Sequence, residues 1–256
     1  METAIYILMY LFVFLFGITI GSFLNVCIYR IPKKENIVKI RSHCMTCGYQ
    51  LQWYDLFPLF SFLFLGGKCR KCKTKLSWQY PAIEFINGVL YLVLFAIYDL
   101  TLPFVLYALM SSALLALSLI DWRTFEIPVG FNYFIAALGL VRLVTDFRNW
   151  PLYVIGACSV GLALCILYFA SGGRAIGGGD VKLMGACGLL LGWKLILLAF
   201  CLGCILAAVI HLIRMKVSGA ERMLAMGPYL SAGVYLAVVC GAQFLTWYLG
   251  TMGLQY

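Results

Sequence analysis

Charged side chains are scarce in this chain. They make up 11% of its 256 residues, where a soluble domain carries roughly 25%. Histidine occurs twice and acidic residues ten times. Apolar residues take the space instead: 64% are hydrophobic, and the mean hydropathy is +0.97. That balance excludes a soluble globular domain, a disordered chain and an ordinary nucleic-acid module, and leaves a polytopic helical membrane protein. A basic n-region is missing ahead of the first apolar run, which is far longer than a signal h-region. It therefore reads as a membrane span and not as a removable leader. Eleven cysteines would suit a secreted disulfide scaffold, but such a scaffold does not carry several spans.

A helix needs ~20 apolar residues to cross a bilayer. The first candidate covers about 4–28, after which residues 30–80 break the pattern and hold ten of the nineteen Lys+Arg. Beyond Pro81, apolar segments recur at about 83–98, 103–120, 128–145, 151–171, 181–193, 195–213 and 228–250. The expected fold is an all-α polytopic membrane protein with about eight transmembrane helices. Seven is the alternative, because Trp193-Lys194 is the only break within 181–213. The expected divisions are a first helix over 1–29, a small cytosolic subdomain over 30–80, and a membrane domain over 81–256. With eight spans, the loops 30–80, 121–127, 172–180 and 214–227, together with Lys182, gather sixteen Lys+Arg on one side. Arg142, Arg148 and Lys194 are the three opposite. Basic loops stay in the cytoplasm, which places both chain ends outside and residues 30–80 in the cytosol. The net charge of +9 is then a matter of topology, and no nucleic-acid partner is needed to explain it.

Four cysteines fall in the polar segment as Cys44-x-x-Cys47 and Cys69-x-x-Cys72. A Cys-x-x-Cys pair brings two thiolates to one ion from a tight knuckle, and a second pair completes the tetrahedron that Zn2+ prefers. Lys68, Arg70, Lys71, Lys73 and Arg41 nearby favour thiolate, and a reducing cytosol disfavours disulfides. A structural zinc site is expected, with iron–sulfur or redox chemistry and a metal-free segment as alternatives. His43 adjoins Cys44 and reads as a surface residue, although it is able to replace a ligand. The remaining seven cysteines lie in apolar spans, where they act as small hydrophobes.

An ionisable group in or beside a span is costly and marks function by default. Asp99 and Asp146 flank outer loops and read as solvated, as does Glu126 in its short loop. His211 is expected to hydrogen-bond within the bundle. Glu84 follows Pro81 at a helix start, where capping the positive end would account for it. Asp121 and Asp180 differ. Asp121 closes the apolar run Leu114–Ile120, and Asp180 follows Gly177-Gly178-Gly179 and leads into Val181-Lys182. Both fall at cytosolic ends of their spans. Three successive glycines cost backbone entropy unless φ must be positive or a partner must come close. Two adjacent carboxylates sharing a proton provide a base and an acid, as in aspartic proteases. Coordination in a proton- or cation-coupled transporter, and plain helix capping, are the competing readings. The glycine run lacks GxGKS/T, and an aspartate there would repel phosphate.

The ordered set of motifs resembles the prepilin peptidases, or type IV leader peptidases. It runs from Gly21-Ser22-Phe23-Leu24-Asn25 through Tyr29-Arg30-Ile31-Pro32, Arg41-Ser42-His43-Cys44, Trp53-Tyr54-Asp55-Leu56-Phe57-Pro58, Gly67-Lys68-Cys69 and Gln79-Tyr80-Pro81-Ala82-Ile83-Glu84. Asp121 with Ile127-Pro128, the GxGD-like Gly177-Gly178-Gly179-Asp180 and Gly227-Pro228-Tyr229 complete it.

The resemblance implies an intramembrane-type aspartic peptidase of the bacterial cytoplasmic membrane, with Asp121 and Asp180 as its catalytic pair. Gly177, Gly178, Gly179 and Lys182 would meet the substrate. Its substrates would be prepilins or pseudopilins, in which a short basic leader ends in Gly and an apolar helix follows. Members with the thiol-rich segment also methylate the new N-terminal amine from S-adenosyl-L-methionine, and Gly67, Lys68 and Glu84 are the positions put forward for that step. No βαβ pattern in 30–80 marks a methyl-donor site, so methyl transfer rests on the resemblance alone. A metal-regulated transporter is the runner-up, though no internal repeat supports it. A pure assembly scaffold is the third reading.

Overall fold

The computed structural model describes residues 2–174, 176–218 and 224–251. Regular structure among them is helical, apart from two isolated antiparallel bridges, His43 with Gln50 and Lys68 with Lys75. The α-helices are α1 (Glu2–Arg30), α2 (Phe60–Phe64), α3 (Gln79–Tyr98), α4 (Leu102–Thr124), α5 (Val129–Thr145), α6 (Trp150–Ala170), α7 (Gly178–Leu191), α8 (Trp193–Ser218) and α9 (Gly227–Thr251). Six of them, α1, α3, α4, α6, α8 and α9, are long and apolar enough to cross a membrane. The two other expected spans are present as shorter helices, α5 with 17 residues and α7 with 14. The break between α7 and α8 is Gly192, whose φ of 81° ends the helix, and not Trp193-Lys194, which already lie in α8. Arg222, counted above among the basic loop residues, lies outside the described residues.

The chain divides into two compact units, Met1–Ser112 and Ala113–Tyr256. In the first, α1 and α3 touch backbone to backbone. A Cβ on Gly17 would lie 2.8 Å from the Gly88 Cα, and one on Gly21 would lie 2.7 Å from the Glu84 Cα. Small residues at such a crossing take the place of the hydrophobic drive that lipid does not supply. The approach lets the Asn87 amide donate to the Gly17 carbonyl at 2.7 Å. Asn87 in turn accepts from the Ser112 hydroxyl at 2.9 Å, and Ser112 also bonds the Tyr91 hydroxyl. At the end of α1, buried Arg30 donates to the carbonyls of Ile37 at 3.1 Å and Ile40 at 2.7 Å. It thereby folds the following segment back on its own helix end.

In the second unit α7 packs against α5, α6, α8 and α9. Leu183, Met184, Cys187 and Leu190 are fully buried, as a short helix apolar on every side requires. Asp146 is not the solvated charge expected. It accepts from the Tyr153 hydroxyl at 2.6 Å and from Asn149 at 3.0 Å, and the Tyr153 hydroxyl holds its carboxyl below the usual carboxylate range. His211, expected to hydrogen-bond within the bundle, has a buried Nδ1 with no partner among the described residues.

Gly17→Leu should force α1 from α3 and cost roughly 1–3 kcal/mol, seen as a lower thermal midpoint in detergent. Gly130→Leu, where an added Cβ meets nothing within 4 Å, should leave the midpoint unchanged.

Candidate active site

Two knuckles of the same build bring four thiols together. The Cys44 N–H donates to the Tyr49 carbonyl at 2.8 Å and the Gly48 N–H to the Cys44 carbonyl at 2.9 Å. In the second, Cys69 donates to Thr74 at 2.9 Å and Lys73 to Cys69 at 3.0 Å. Each turn needs a left-handed residue after its second cysteine, Gly48 at φ 68° and Lys73 at φ 58°. The Sγ atoms of Cys44, Cys47, Cys69 and Cys72 all lie within 4.8 Å of one another, with Cys44 and Cys72 3.8 Å apart. Corners of a tetrahedral zinc thiolate with Zn–S ~2.3 Å stand roughly 3.8 Å apart. The Thr74 hydroxyl and N–H hold the Cys72 thiol down to about 6, and the N–H groups of Cys47 and Thr46 lower that of Cys44. Thiolate is the form a metal ligates, so this cluster suits a divalent ion. His43 is exposed and stands outside it.

One carboxylate ties the two knuckles. Buried Asp55 receives the Arg70 Nε of the second at 2.6 Å, and the Tyr49 hydroxyl of the first at 3.3 Å. Beside this cluster, in the same unit, lies a cavity of about 630 Å³ lined by Asn25, Arg30, Cys44, Cys69, Lys68 and Glu84, among others. Glu84 does not cap its own helix, as the sequence suggested. It is buried in α3, and its Oε2 accepts from the Leu59 N–H at 2.8 Å, at the head of α2. Lys68 is exposed on the cavity wall, whereas Gly67 is not on it. Gly67 turns the chain at φ 68°, with the Phe62 ring 3.0 Å from where a Cβ would sit.

The two aspartates come from helix ends in the second unit. Asp121 lies in the last turn of α4, buried, and its Oδ2 accepts from the Gly227 N–H at 2.9 Å. That N–H opens α9, so it is one of the donors a helix leaves unpaired. Asp180 lies in the first turn of α7. Its Oδ1 is buried without a hydrogen-bond partner among the described residues. The glycine run is not the open loop expected. Gly178 and Gly179 already belong to α7, and none of the three glycines has a left-handed φ. They are small because neighbours crowd them. A Cβ on Gly177 would lie 3.0 Å from the Asp180 Oδ2, and one on Gly179 would lie 2.9 Å from the Ile127 Cβ. Lys182 is exposed further along α7.

Comparison with known proteins separates the readings left open above. The profile of the bacterial peptidase A24 N-terminal domain matches residues 15–98, and that of the type IV leader peptidase family matches residues 108–212. A prepilin leader peptidase/N-methyltransferase of Burkholderia pseudomallei (strain K96243) is 30% identical over 268 residues, covering 91% of this chain and 86% of its own. The chain belongs to the type IV leader peptidase family. Relatives of the same name in Bacillus subtilis (strain 168) and Aeromonas salmonicida (strain A449) are 28% and 29% identical. They cover 92% and 94% of this chain, and 96% and 94% of their own. No solved structure matches. The protein is thus an enzyme and a multi-pass membrane peptidase, and the transporter and scaffold readings fall away.

For a type IV leader peptidase, two contacts around these sites, those of Asp55 and Asn132, escape a reading by residue type. Asp55 was quoted only as part of a motif, and an aspartate between aromatics gives no sign that both knuckles converge on it. Asn132 of α5, buried, donates to the Gly179 carbonyl at 3.4 Å and so braces the start of α7. The Gly227 donor did carry a signal, since glycine before proline at a helix start offers an uncommitted N–H close to whatever packs there. A Cβ on Gly227 would lie 2.7 Å from the Asp121 Oδ2. Gly227→Ala should therefore displace that carboxylate and cut peptidase turnover by about tenfold or more, with Gly130→Ala as the silent control in the same cleavage assay.

Proposed function

We propose that this protein is an aspartic endopeptidase that removes the short basic leader of prepilins or pseudopilins at the cytosolic face of the bacterial inner membrane, cleaving after Gly. Asp121 and Asp180 form its catalytic pair. The observation that carries the reading is their placement: two carboxyls at helix ends in an apolar bundle, one held by a backbone N–H and the other with a buried oxygen that has no hydrogen-bond partner among the described residues. An N–H donor suits a carboxylate, so Asp121 takes the proton of an attacking water. Asp180, lacking a donor at Oδ1, gives a proton to the scissile carbonyl. The dyad titrates as a unit and gives a bell-shaped rate profile whose limbs belong to the pair. The start of α7, with Gly177–Gly179 and Lys182, meets the unwound leader end. Sidedness follows from the sixteen basic residues on one face against three on the other. Such a substrate keeps its basic leader in the cytosol, which brings the scissile bond to that same face.

The same protein methylates the new N-terminus. Support comes from the names of its relatives and from the first unit's cavity, whose volume suits a small-molecule ligand. S-adenosyl-L-methionine would supply the methyl group there, with Lys68 and Glu84 on the wall beside it. Zinc on Cys44, Cys47, Cys69 and Cys72 orders the segment around that cavity.

Asp121→Asn and Asp180→Asn should each lower leader removal from a co-reconstituted prepilin by at least ~10²-fold and leave the protein folded; substantial cleavage by either would sink the dyad. Cysteine variants should instead lose metal and methyl transfer while cleavage continues, measured by elemental analysis and by mass spectrometry of the product N-terminus. Loss of cleavage in folded protein from each of Cys44→Ser, Cys47→Ser, Cys69→Ser and Cys72→Ser would assign the thiol segment to the peptidase.

A further inference from the structure

The segment between α1 and α3 is the polar part of the sequence, yet it carries several strongly exposed apolar residues. Phe64 is 87% exposed, Trp78 74%, Trp53 72% and Leu63 68%, with Phe57 and Phe60 also exposed. A contiguous apolar surface of this kind marks a membrane or protein interaction site. Its position indicates which. Trp78 immediately precedes α3, at the point where a membrane-crossing helix begins. The Phe62 ring of α2 meets Trp78 edge-on at 5.1 Å, so α2 is fastened to that point. The head of α2 lies deeper still. The Leu59 N–H is 2.8 Å from Glu84, five residues into α3 and so roughly 7.5 Å along its axis. The short helix therefore stands level with the first turns of a membrane-crossing helix, not beyond them in water. Lys68, Arg70, Lys71, Lys73 and Lys75 follow it within the next few residues.

We propose that residues 53–65 with Trp78 form a foot that beds into the headgroup–acyl boundary of an anionic bilayer, on the side where residues 31–78 lie. Trp53, Phe60, Leu63 and Phe64 enter the boundary, and the following lysines meet lipid phosphates. Tryptophan is at home at that depth, and each basic side chain near an anionic surface adds attraction. Other residues of the same segment, Leu56, Phe57, Ser61, Phe62 and Leu65, line the cavity. Bilayer contact thereby holds one wall of that cavity in place. The inference needs only that the chain spans a membrane, and it stands or falls separately from the methyl-transfer reading.

The test is photo-crosslinking of the full chain in vesicles of phosphatidylethanolamine and phosphatidylglycerol, with p-benzoylphenylalanine at Leu63 or Phe64 and, as the aqueous control, at exposed Gln50. Mass spectrometry should find lipid adducts at 63 and 64 at least tenfold above those at 50. Labelling no stronger than at Gln50 would overturn the foot, and so would adducts to a co-reconstituted prepilin in place of lipid. Because a bulky probe can itself disturb a surface, unlabelled protein gives an independent reading. Trp53→Phe should remove part of the intrinsic fluorescence that lipids brominated near the headgroup quench; equal quenching with and without Trp53 would count against insertion. Vesicles of phosphatidylcholine alone should give several-fold fewer adducts, and an unchanged yield would remove the basic flank from the proposal.

Discussion

Polar groups that enter the apolar helices of this protein have no water to fall back on, and the pairing this enforces shapes most of what surrounds the sites. Asn87 is satisfied by Gly17 and Ser112 together, which fixes α1 against α3 and the start of α4. Arg30 is satisfied by the carbonyls that follow it, which turns the chain back at the end of α1. Glu84 is satisfied by the head of α2, and Asp121 by the head of α9. Glu84 and Asp121 each meet a backbone N–H that a helix start leaves unpaired. One oxygen of Asp180, like Nδ1 of His211, is buried without a partner among the described residues. An acceptor left that way costs roughly 1–3 kcal/mol. In the proposed dyad, an acid that offers a proton to an incoming carbonyl would give a reason to tolerate that cost.

Much of the fold is legible in the sequence because hydropathy and helix length are one-dimensional properties. The eight apolar helices lie where the apolar runs lie, and the helix-end positions of Asp121 and Asp180 follow from where those runs stop. The two knuckles are legible too, since Cys-x-x-Cys is a local geometry. What composition does not disclose is which groups meet across helices. Glu84 near the start of α3 invites a capping role, yet its partner is 25 residues earlier. Gly177–Gly179 suggest either a left-handed turn or a close approach, and only the positions of Ile127 and Asp180 decide for the second. The short lengths of α5 and α7 reflect a packed environment that hydropathy does not distinguish from lipid. Asp55 had no local sign at all, because its partners lie in knuckles separated by more than twenty residues of sequence.

The family profiles fall on either side of residue 100, at 15–98 and 108–212, and the two clusters of chemistry follow that division. The thiols and the cavity belong to the first unit, the aspartates to the second. Hydrolysis of a peptide bond releases a primary amine, and a methyl acceptor is what that amine becomes. In the proposed function the first reaction would therefore make the substrate of the second.

The segment between α1 and α3 poses a stability problem of its own. Among residues 31–78, Phe62 and two of the cysteines, Cys44 and Cys69, are the buried apolar side chains, and Asp55 is the buried charge. No hydrophobic core of useful size exists there, and chains this short rarely fold without a staple. Three constraints take its place. The Asp55 carboxylate draws Tyr49 and Arg70 to one point, Arg30 and Glu84 pin the segment to α1 and α3, and four thiols converge within reach of one ion. The first two involve single side chains in partly wet surroundings, each contributing on the order of 1 kcal/mol or a little more. A structural metal contributes far more, since its binding energy is folding energy. The order of importance follows: an ion on the four thiols would hold the two knuckles together, Asp55 sets their mutual orientation, and Arg30 and Glu84 fix the segment to the ends of α1 and α3.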